Sequence, residues 1–254
     1  MTHSAGVALV TGGARRLGRA IVEDLARNGW DVAIHYDRSE DEAHRLAAEI
    51  AASGSRSVCV QGDLADAAAP PRVIAEAAAA LGPLTLLVNS ASIFEKDSAG
   101  ALDPVLWQKQ MAVNLTAPVL LADAFARQLS AGSNGNIVNM LDQRIWRPDP
   151  KFFSYQISKS ALHAATVTLA QALAPRIRVN GIAPGPALPS IHATDSGAFQ
   201  SRVARLPLGR GPELAEFGRT VRYFVENKSV TGQVITLDGG EHLEWQTADQ
   251  PSAN

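Results

Sequence analysis

A single cysteine, Cys59, excludes an intrachain disulfide framework in a chain of 254 residues. It sits in an apolar alternation, the setting of a small buried hydrophobe and not of a reactive thiol. An excess of charge of one sign is missing too. Lys and Arg number 23 and Asp and Glu 25, a net charge of −2, so there is no broad basic field for nucleic acid and no acidic tail. No apolar run approaches the roughly 18 residues of a membrane-spanning helix, and residues 1–6 lack the basic-then-apolar pattern of a secretory leader. Six histidines are scattered without close ligand spacing, which argues against a metal centre. These absences make a cytoplasmic protein the expectation, with no nucleic acid and no membrane as partner.

What is present is an alternation of short apolar runs with helical patterns. Residues 7–10, 31–36, 57–61, 84–88, 136–141, 177–179 and 233–237 read as seven strands. Helical patterns fill 17–27, 41–52, 72–81 and 104–129, and a further helix carries Tyr155 and ends near Pro175. Right-handed crossovers then give an α/β fold with a seven-stranded parallel sheet and helices on both faces. Ligands of such sheets bind at the carboxyl ends of the strands, where Thr11-Gly12, His35–Arg38, Asp63, Asn89–Ser92, Asp142 and Pro184-Gly185 all fall. Residues 184–208 carry the least pattern, the length of a lid or a disordered loop.

Two stretches carry chemistry. Thr11-Gly-Gly-Ala-Arg-Arg-Leu-Gly18 turns a strand into a helix whose first N–H groups can face a pyrophosphate. Gly12 permits the sharp turn and Gly18 a close helix-to-strand approach. The second stretch is residues 142–159. Tyr155 and Lys159 are four apart and share a helix face, and an ammonium beside a phenol favours the phenolate and makes it a better acid. Asp142, at the end of the preceding strand, brings a carboxyl to the same place.

Together, Thr11-Gly12, Asn89-x-Ala91, the Tyr155-x-x-x-Lys159 helix and Pro184-Gly185 resemble the short-chain dehydrogenase/reductase family over nearly the whole chain. The resemblance implies one Rossmann-like, doubly wound domain over 1–254, binding a nicotinamide cofactor and assembling as a homotetramer. A cofactor half of about 1–141 would precede a catalytic and substrate-loop half of about 142–240 and a polar tail, 241–254. By residue match Tyr155 is the proton donor, Lys159 holds the nicotinamide ribose and lowers the phenol's pKa, and Asn114 anchors a water in a proton relay. The cofactor cleft would draw on Gly12, Arg16, Leu17, Gly18, His35, Tyr36, Arg38, Ser39, Asp63, Leu64, Asn89, Ser90, Ala91, Pro184 and Gly185. Arg38 and Arg16 stand where two guanidiniums can meet the 2′-phosphate of NADP(H). Asp37 is dissonant, and is read as an outward-facing loop acid.

One departure decides the substrate class. Most family members have a serine thirteen residues before the tyrosine, and this chain has Asp142. An ionised carboxylate only accepts hydrogen bonds, so it disfavours the oxyanion of a reduced ketone and suits a ring presenting N–H donors. With the first loop, His35-Tyr36-x-Arg38-Ser39 and Asn89-Ser-Ala-Ser-x-Phe94, it resembles the pteridine reductase branch. That implies NADPH-dependent reduction of a C=N bond in a pterin or dihydrofolate-type ring, with Tyr155 and Asp142 as proton donors, Phe94 stacked on the ring and Arg16 and Ser92 near the substrate. Ala187 stands where that branch often has a serine, which removes one polar contact. Trp146 is placed as a wall of the pocket or as packing, and Arg144 and Arg147 as loop arginines able to face an acidic substrate tail. A carbonyl reductase with Asp142 protonated or turned away is the alternative enzyme, and an NADP(H)-binding sensor without turnover the alternative of another class.

Overall fold

The computed structural model describes residues 5–189 and 196–245. The remaining parts of the expected 184–208 loop and of the polar tail lie outside the described residues. In chain order the elements are β1 (Gly6–Val10), α1 (Arg16–Arg27), β2 (Trp30–Tyr36), α2 (Glu40–Ala52), β3 (Ser57–Gln61), α3 (Ala69–Leu81) and β4 (Leu86–Asn89). Then come α4 (Pro104–Met111), α5 (Ala117–Gln128), β5 (Gly135–Met140), α6 (Phe153–Leu173), β6 (Ile177–Pro184), α7 (Ser196–Ala204), α8 (Leu214–Glu226) and β7 (Val234–Leu237).

The strands form one parallel sheet in the order β3-β2-β1-β4-β5-β6-β7, the doubly wound arrangement expected. Alternation along each strand sends side chains to opposite faces. Val10, Ile34, Val88, Val138 and Ile182 join a core with Phe217, Val221 and Phe224 of α8. Their neighbours Leu9, Ala33, Leu87, Ile137 and Val179 join a second core with Val73 of α3 and Leu121 and Phe125 of α5. Strand order reverses between β1 and β4, the switch point at which such sheets open a crevice. The Thr11 hydroxyl spans it, accepting from the N–H groups of Ser90 at 2.9 Å and Ala91 at 3.0 Å. Among the described residues no helix is long and apolar enough to cross a membrane.

Three differences from the expected elements matter. β6 runs on to Pro184, which carries Pro184-Gly185 to the end of the sheet. The region expected as one helix over 104–129 is α4 and α5 joined by a π-helical turn, Ala112–Thr116, with Asn114 inside it. Helices α7 and α8 are additional. Phe217, Val221 and Phe224 of α8 repeat at helical spacing, and Glu213 and Glu216 close a capping box at its start. Gly218 lets α8 pack on α1, since a Cβ there would lie 2.3 Å from that of Asp24. Asp24 also accepts from Arg222 Nε at 2.7 Å.

Candidate active site

The site is built where β5 ends and α6 begins. Asp142 follows β5 and starts a tight turn, its Oδ1 accepting the backbone N–H of Arg144 at 2.8 Å, as aspartates do two residues ahead of a turn amide. The start of α6 is fixed by Asp97, whose carboxylate accepts the backbone N–H of Ser154 at 3.0 Å and the Ser154 hydroxyl. Tyr155, in the first turn, then donates its hydroxyl to Asp142 Oδ2 at 2.7 Å. Lys159, one turn further, donates to the Met140 carbonyl at 2.7 Å and lies 5.8 Å from the Tyr155 ring centroid. Carboxyl, phenol and ammonium meet in a setting where Tyr155 and Lys159 are both buried.

Burial decides how these groups titrate. It pushes the Lys159 ammonium down from 10.5 to about 8, against the pull of the Asp142 carboxylate. It holds the Tyr155 phenol well above its ordinary value of 10, reinforced by the charge of Asp142 and its hydrogen bond, with Arg144 opposing. The lowering expected from Lys159 is not seen in this arrangement, where the phenol's immediate neighbour is a carboxylate and one donor of the ammonium goes to a carbonyl.

Asn114 is fully buried and all four hydrogen-bonding positions of its amide are taken. Its Oδ1 accepts from the Ser92 hydroxyl at 3.1 Å and the Ile93 N–H at 2.8 Å, and its Nδ2 donates to the Ile93 carbonyl at 2.9 Å and Ser158 Oγ at 3.1 Å. The side chain therefore ties the loop after β4 to α6, and a water could be anchored only through the backbone of the π turn. Single-turn π insertions are frequent at functional sites.

Arg144 is the residue whose position the sequence concealed. It is not an exposed loop arginine, for its side chain is 11% exposed and its Nη1 lies 3.4 Å from Asp142 Oδ2. Its guanidinium sits 5.4 Å over the Phe94 ring and 5.0 Å over the Phe152 ring. Phe94 and Phe152 stack at 4.3 Å and 11°, and Phe94 meets Tyr155 edge-on at 4.7 Å. Phe94 thus belongs to the cluster, with one face covered by Phe152. Trp146 is turned outward, donating to the Thr236 hydroxyl at 3.2 Å, with its ring edge-on to His163, and takes no part.

The phosphate side of the crevice is shaped for close approach of a ligand. Gly12 has φ +61 and a Cβ there would meet the Ala91 backbone at 3.0 Å, while a Cβ on Gly18 would lie 2.2 Å from the Gly12 carbonyl oxygen. Arg16 adopts φ +54, a region that favours glycine, and donates through Nη2 to the Pro189 carbonyl at 2.8 Å. Helix α1, in which Leu17 packs on the core, has no side-chain cap and no acid in its first turn, so its leading N–H groups suit an anion.

His35, expected in the cofactor cleft, has its ring turned to the scaffold. Its ring is buried, with Nδ1 accepting the Gly12 N–H at 3.2 Å and Nε2 facing the Gly62 carbonyl at 3.0 Å. Burial lowers its pKa from 6.5 to about 4, so it is a neutral staple under the loop and offers no charge to a phosphate. Tyr36 is likewise buried, its ring edge-on to His44. Arg38 is 86% exposed and pairs with Asp37 at 3.1 Å, so the dissonant acid engages the very guanidinium assigned to the phosphate. Ser39 precedes α2 without a side-chain cap bond. Asp63 is exposed in the turn after β3 and accepts the Ala65 N–H at 2.9 Å, with Leu64 buried beside it. Asn89 donates to Asn139 at 2.8 Å, and its buried Oδ1 has no partner. Gly185 closes on β7, where a Cβ would lie 2.5 Å from that of Asp238. A glycine cradle, an uncapped helix start and an orphaned amide oxygen along one crevice fit an extended dinucleotide.

Known proteins share this arrangement. The Brucella canis FolM alternative dihydrofolate reductase 1, solved in complex with NADP, is 53% identical and superposes with a TM-score of 0.94 over 97% of each chain. Its Brucella suis counterpart, also with NADP, is 54% identical, with a TM-score of 0.90 over 96% of this chain and 98% of that one. The Staphylococcus epidermidis 3-oxoacyl-[acyl-carrier-protein] reductase FabG is 29% identical over 93% of this chain and 98% of its own. The short chain dehydrogenase model matches residues 6–197, and the chain belongs to that family.

Proposed function

We propose that the protein is an NADPH-dependent reductase of a C=N bond in a pterin or dihydrofolate-type ring. The observation that carries this reading is the Asp142 carboxylate bonded to Tyr155 at the mouth of the crevice. Both of its oxygens act as acceptors, toward Tyr155 and toward the Arg144 amide. A ring with an amino-amide edge presents N–H donors to such a group, whereas a ketone presents only lone pairs and builds negative charge beside it. The two Brucella reductases, at 53% and 54% identity, support the same substrate class and cofactor. The 29% identical acyl reductase gives the ketone alternative less support.

When bound, the nicotinamide supplies the hydride to the ring carbon. Tyr155, held neutral by burial and by Asp142, keeps a proton at its phenol oxygen for delivery to the ring nitrogen. Asp142 orients the ring by accepting its N–H groups, and is itself held by Arg144. Lys159 uses one of its three donors on Met140 and keeps others for a ribose hydroxyl. Asn114 fixes the loop after β4 against α6. On the cofactor side this reading assigns Asp63 and Leu64 to the adenine, and Arg16, Arg38 and Ser39 to the 2′-phosphate. Asn89, Ser90 and Ala91 line the cleft, with Ser92 and Phe94 on the substrate side. A homotetramer in the cytoplasm is the assembly and compartment this reading carries, and a solution mass measurement checks the first.

The experiment is turnover on two panels with NADPH oxidation followed. Dihydropterins and dihydrofolate are expected to be reduced and simple ketones and quinones to be poor substrates. Activity confined to the second panel rejects the ring assignment, and NADPH binding with no oxidation on either panel leaves a sensor.

A further inference from the structure

A cavity of about 580 Å³ opens beside the catalytic cluster and shares Phe94, Arg144 and Phe152 with it. Its remaining wall is basic, with Lys96, Arg147, Lys151 and Arg202 facing only two acids, Asp149 and Glu241. Those acids are already engaged. Glu241 accepts from Arg202 Nε at 2.7 Å, and Asp149 accepts the Lys151 backbone N–H at 3.0 Å while lying 3.8 Å from Arg144 Nε. Arg147 reaches Glu244. Lys96 and Lys151 are exposed and enter no ion pair among the described residues. Cations that the chain leaves unneutralised beside a cleft raise the local concentration of an anion there.

We propose that this basin seats an anionic arm of the substrate, with the ring at Asp142, Tyr155 and Phe94 and the arm over Lys96 and Lys151. The inference rests on the ring-reductase reading and assigns the part of the ligand that reading leaves open. Arg144, committed to Asp142, is excluded from the role. Two arms on a pterin ring carry such charge, an acylated glutamate with two carboxylates and a phosphorylated hydroxyalkyl chain.

The test is binding, which needs no turnover. Dissociation constants of the NADP-loaded protein are measured for dihydrofolate, dihydroneopterin monophosphate and uncharged dihydroneopterin, in the native chain and in a Lys96→Ala, Lys151→Ala double variant. Both lysines are exposed, so folding is not at stake. Exposed charge pairs are individually weak, so an armed ligand is expected to bind about threefold to tenfold more weakly to the double variant, with uncharged dihydroneopterin unchanged. In the native chain, raising the salt is expected to erode affinity for the armed ligand alone. Loss for dihydrofolate only identifies the dicarboxylate arm, and loss for the phosphate ester only identifies the phosphate. Equal affinities for the armed ligands in both chains, or equal losses for armed and uncharged ligands, overturn the inference and leave the reductase standing. If none of the three binds the native chain, the ring assignment falls with it.

Discussion

The Tyr155 hydroxyl donates to Asp142 Oδ2 at 2.7 Å, across thirteen residues that run from the end of a strand to the first turn of a helix. The bond gives the phenol a base for a neighbour, and burial, reinforced by that carboxylate, keeps it protonated well above its ordinary range. It also fixes the carboxylate at the place where a hydroxyl would otherwise assist a carbonyl. Acid and phenol are thereby a single proton-holding unit, and what perturbs one is felt by the other.

Arg144 should be energetically coupled to that unit. Its side chain and that of Asp142 are 11% and 14% exposed, and removing one partner of a largely buried pair costs about 3–5 kcal/mol, because the other charge is left uncompensated. Arg144→Met is expected to lower stability toward the lower end of that range, since the pair is long at 3.4 Å, and to reduce dihydropterin turnover about tenfold or more. A denaturant double-mutant cycle with Asp142→Asn should give a coupling of about 1–3 kcal/mol. Strict additivity would mean that the contact has no energetic weight.

His35 should make stability depend on pH. Its folded pKa of about 4 lies below the unfolded value of 6.5, so the unfolded chain binds the proton more readily between them. The contribution is fully present above 6.5 and is lost as the pH falls through 4. For a shift of that size it is on the order of 3 kcal/mol. Unfolding free energies at several pH values should show this slope, and His35→Asn should flatten it; an unchanged slope would place the proton-linked group elsewhere.

Arg38 should discriminate between the two nicotinamide cofactors. Because it is 86% exposed and shared with Asp37, the effect is screened. Arg38→Ala is expected to raise KM for NADPH about threefold to tenfold and leave NADH unchanged. Asp37→Asn, which frees the guanidinium, is expected to lower KM for NADPH. Parallel changes for both cofactors would remove Arg38 from the 2′-phosphate.

The strands and helices of the parallel sheet were legible in period-two and period-3.6 apolar patterns, and the meeting of Asp142, Tyr155 and Lys159 in their spacing around a strand end and a helix start. The Phe217, Val221, Phe224 spacing of α8 is of the same kind and was readable in principle. Other features were not. The π turn around Asn114 differs from an α-helix by one hydrogen-bond register and has no residue signature. The packing of Arg144 on Phe94 and Phe152 is a tertiary contact across a loop, so sequence distance alone left it looking like an exposed arginine. His35 occupies a position where the family pattern invites a ligand, yet its ring faces Gly12 and Gly62, a geometry that only the fold sets.

The most direct measurement is kcat/KM of Asp142→Ser with NADPH on a dihydropterin and on a simple ketone. With the Tyr155 and Lys159 chemistry intact, the dihydropterin value is expected to fall by about 10²–10⁴, while the ketone value holds or rises. Dihydropterin reduction retained within about threefold, a change below 1 kcal/mol, would contradict the assignment of Asp142 as the group that selects and orients the ring.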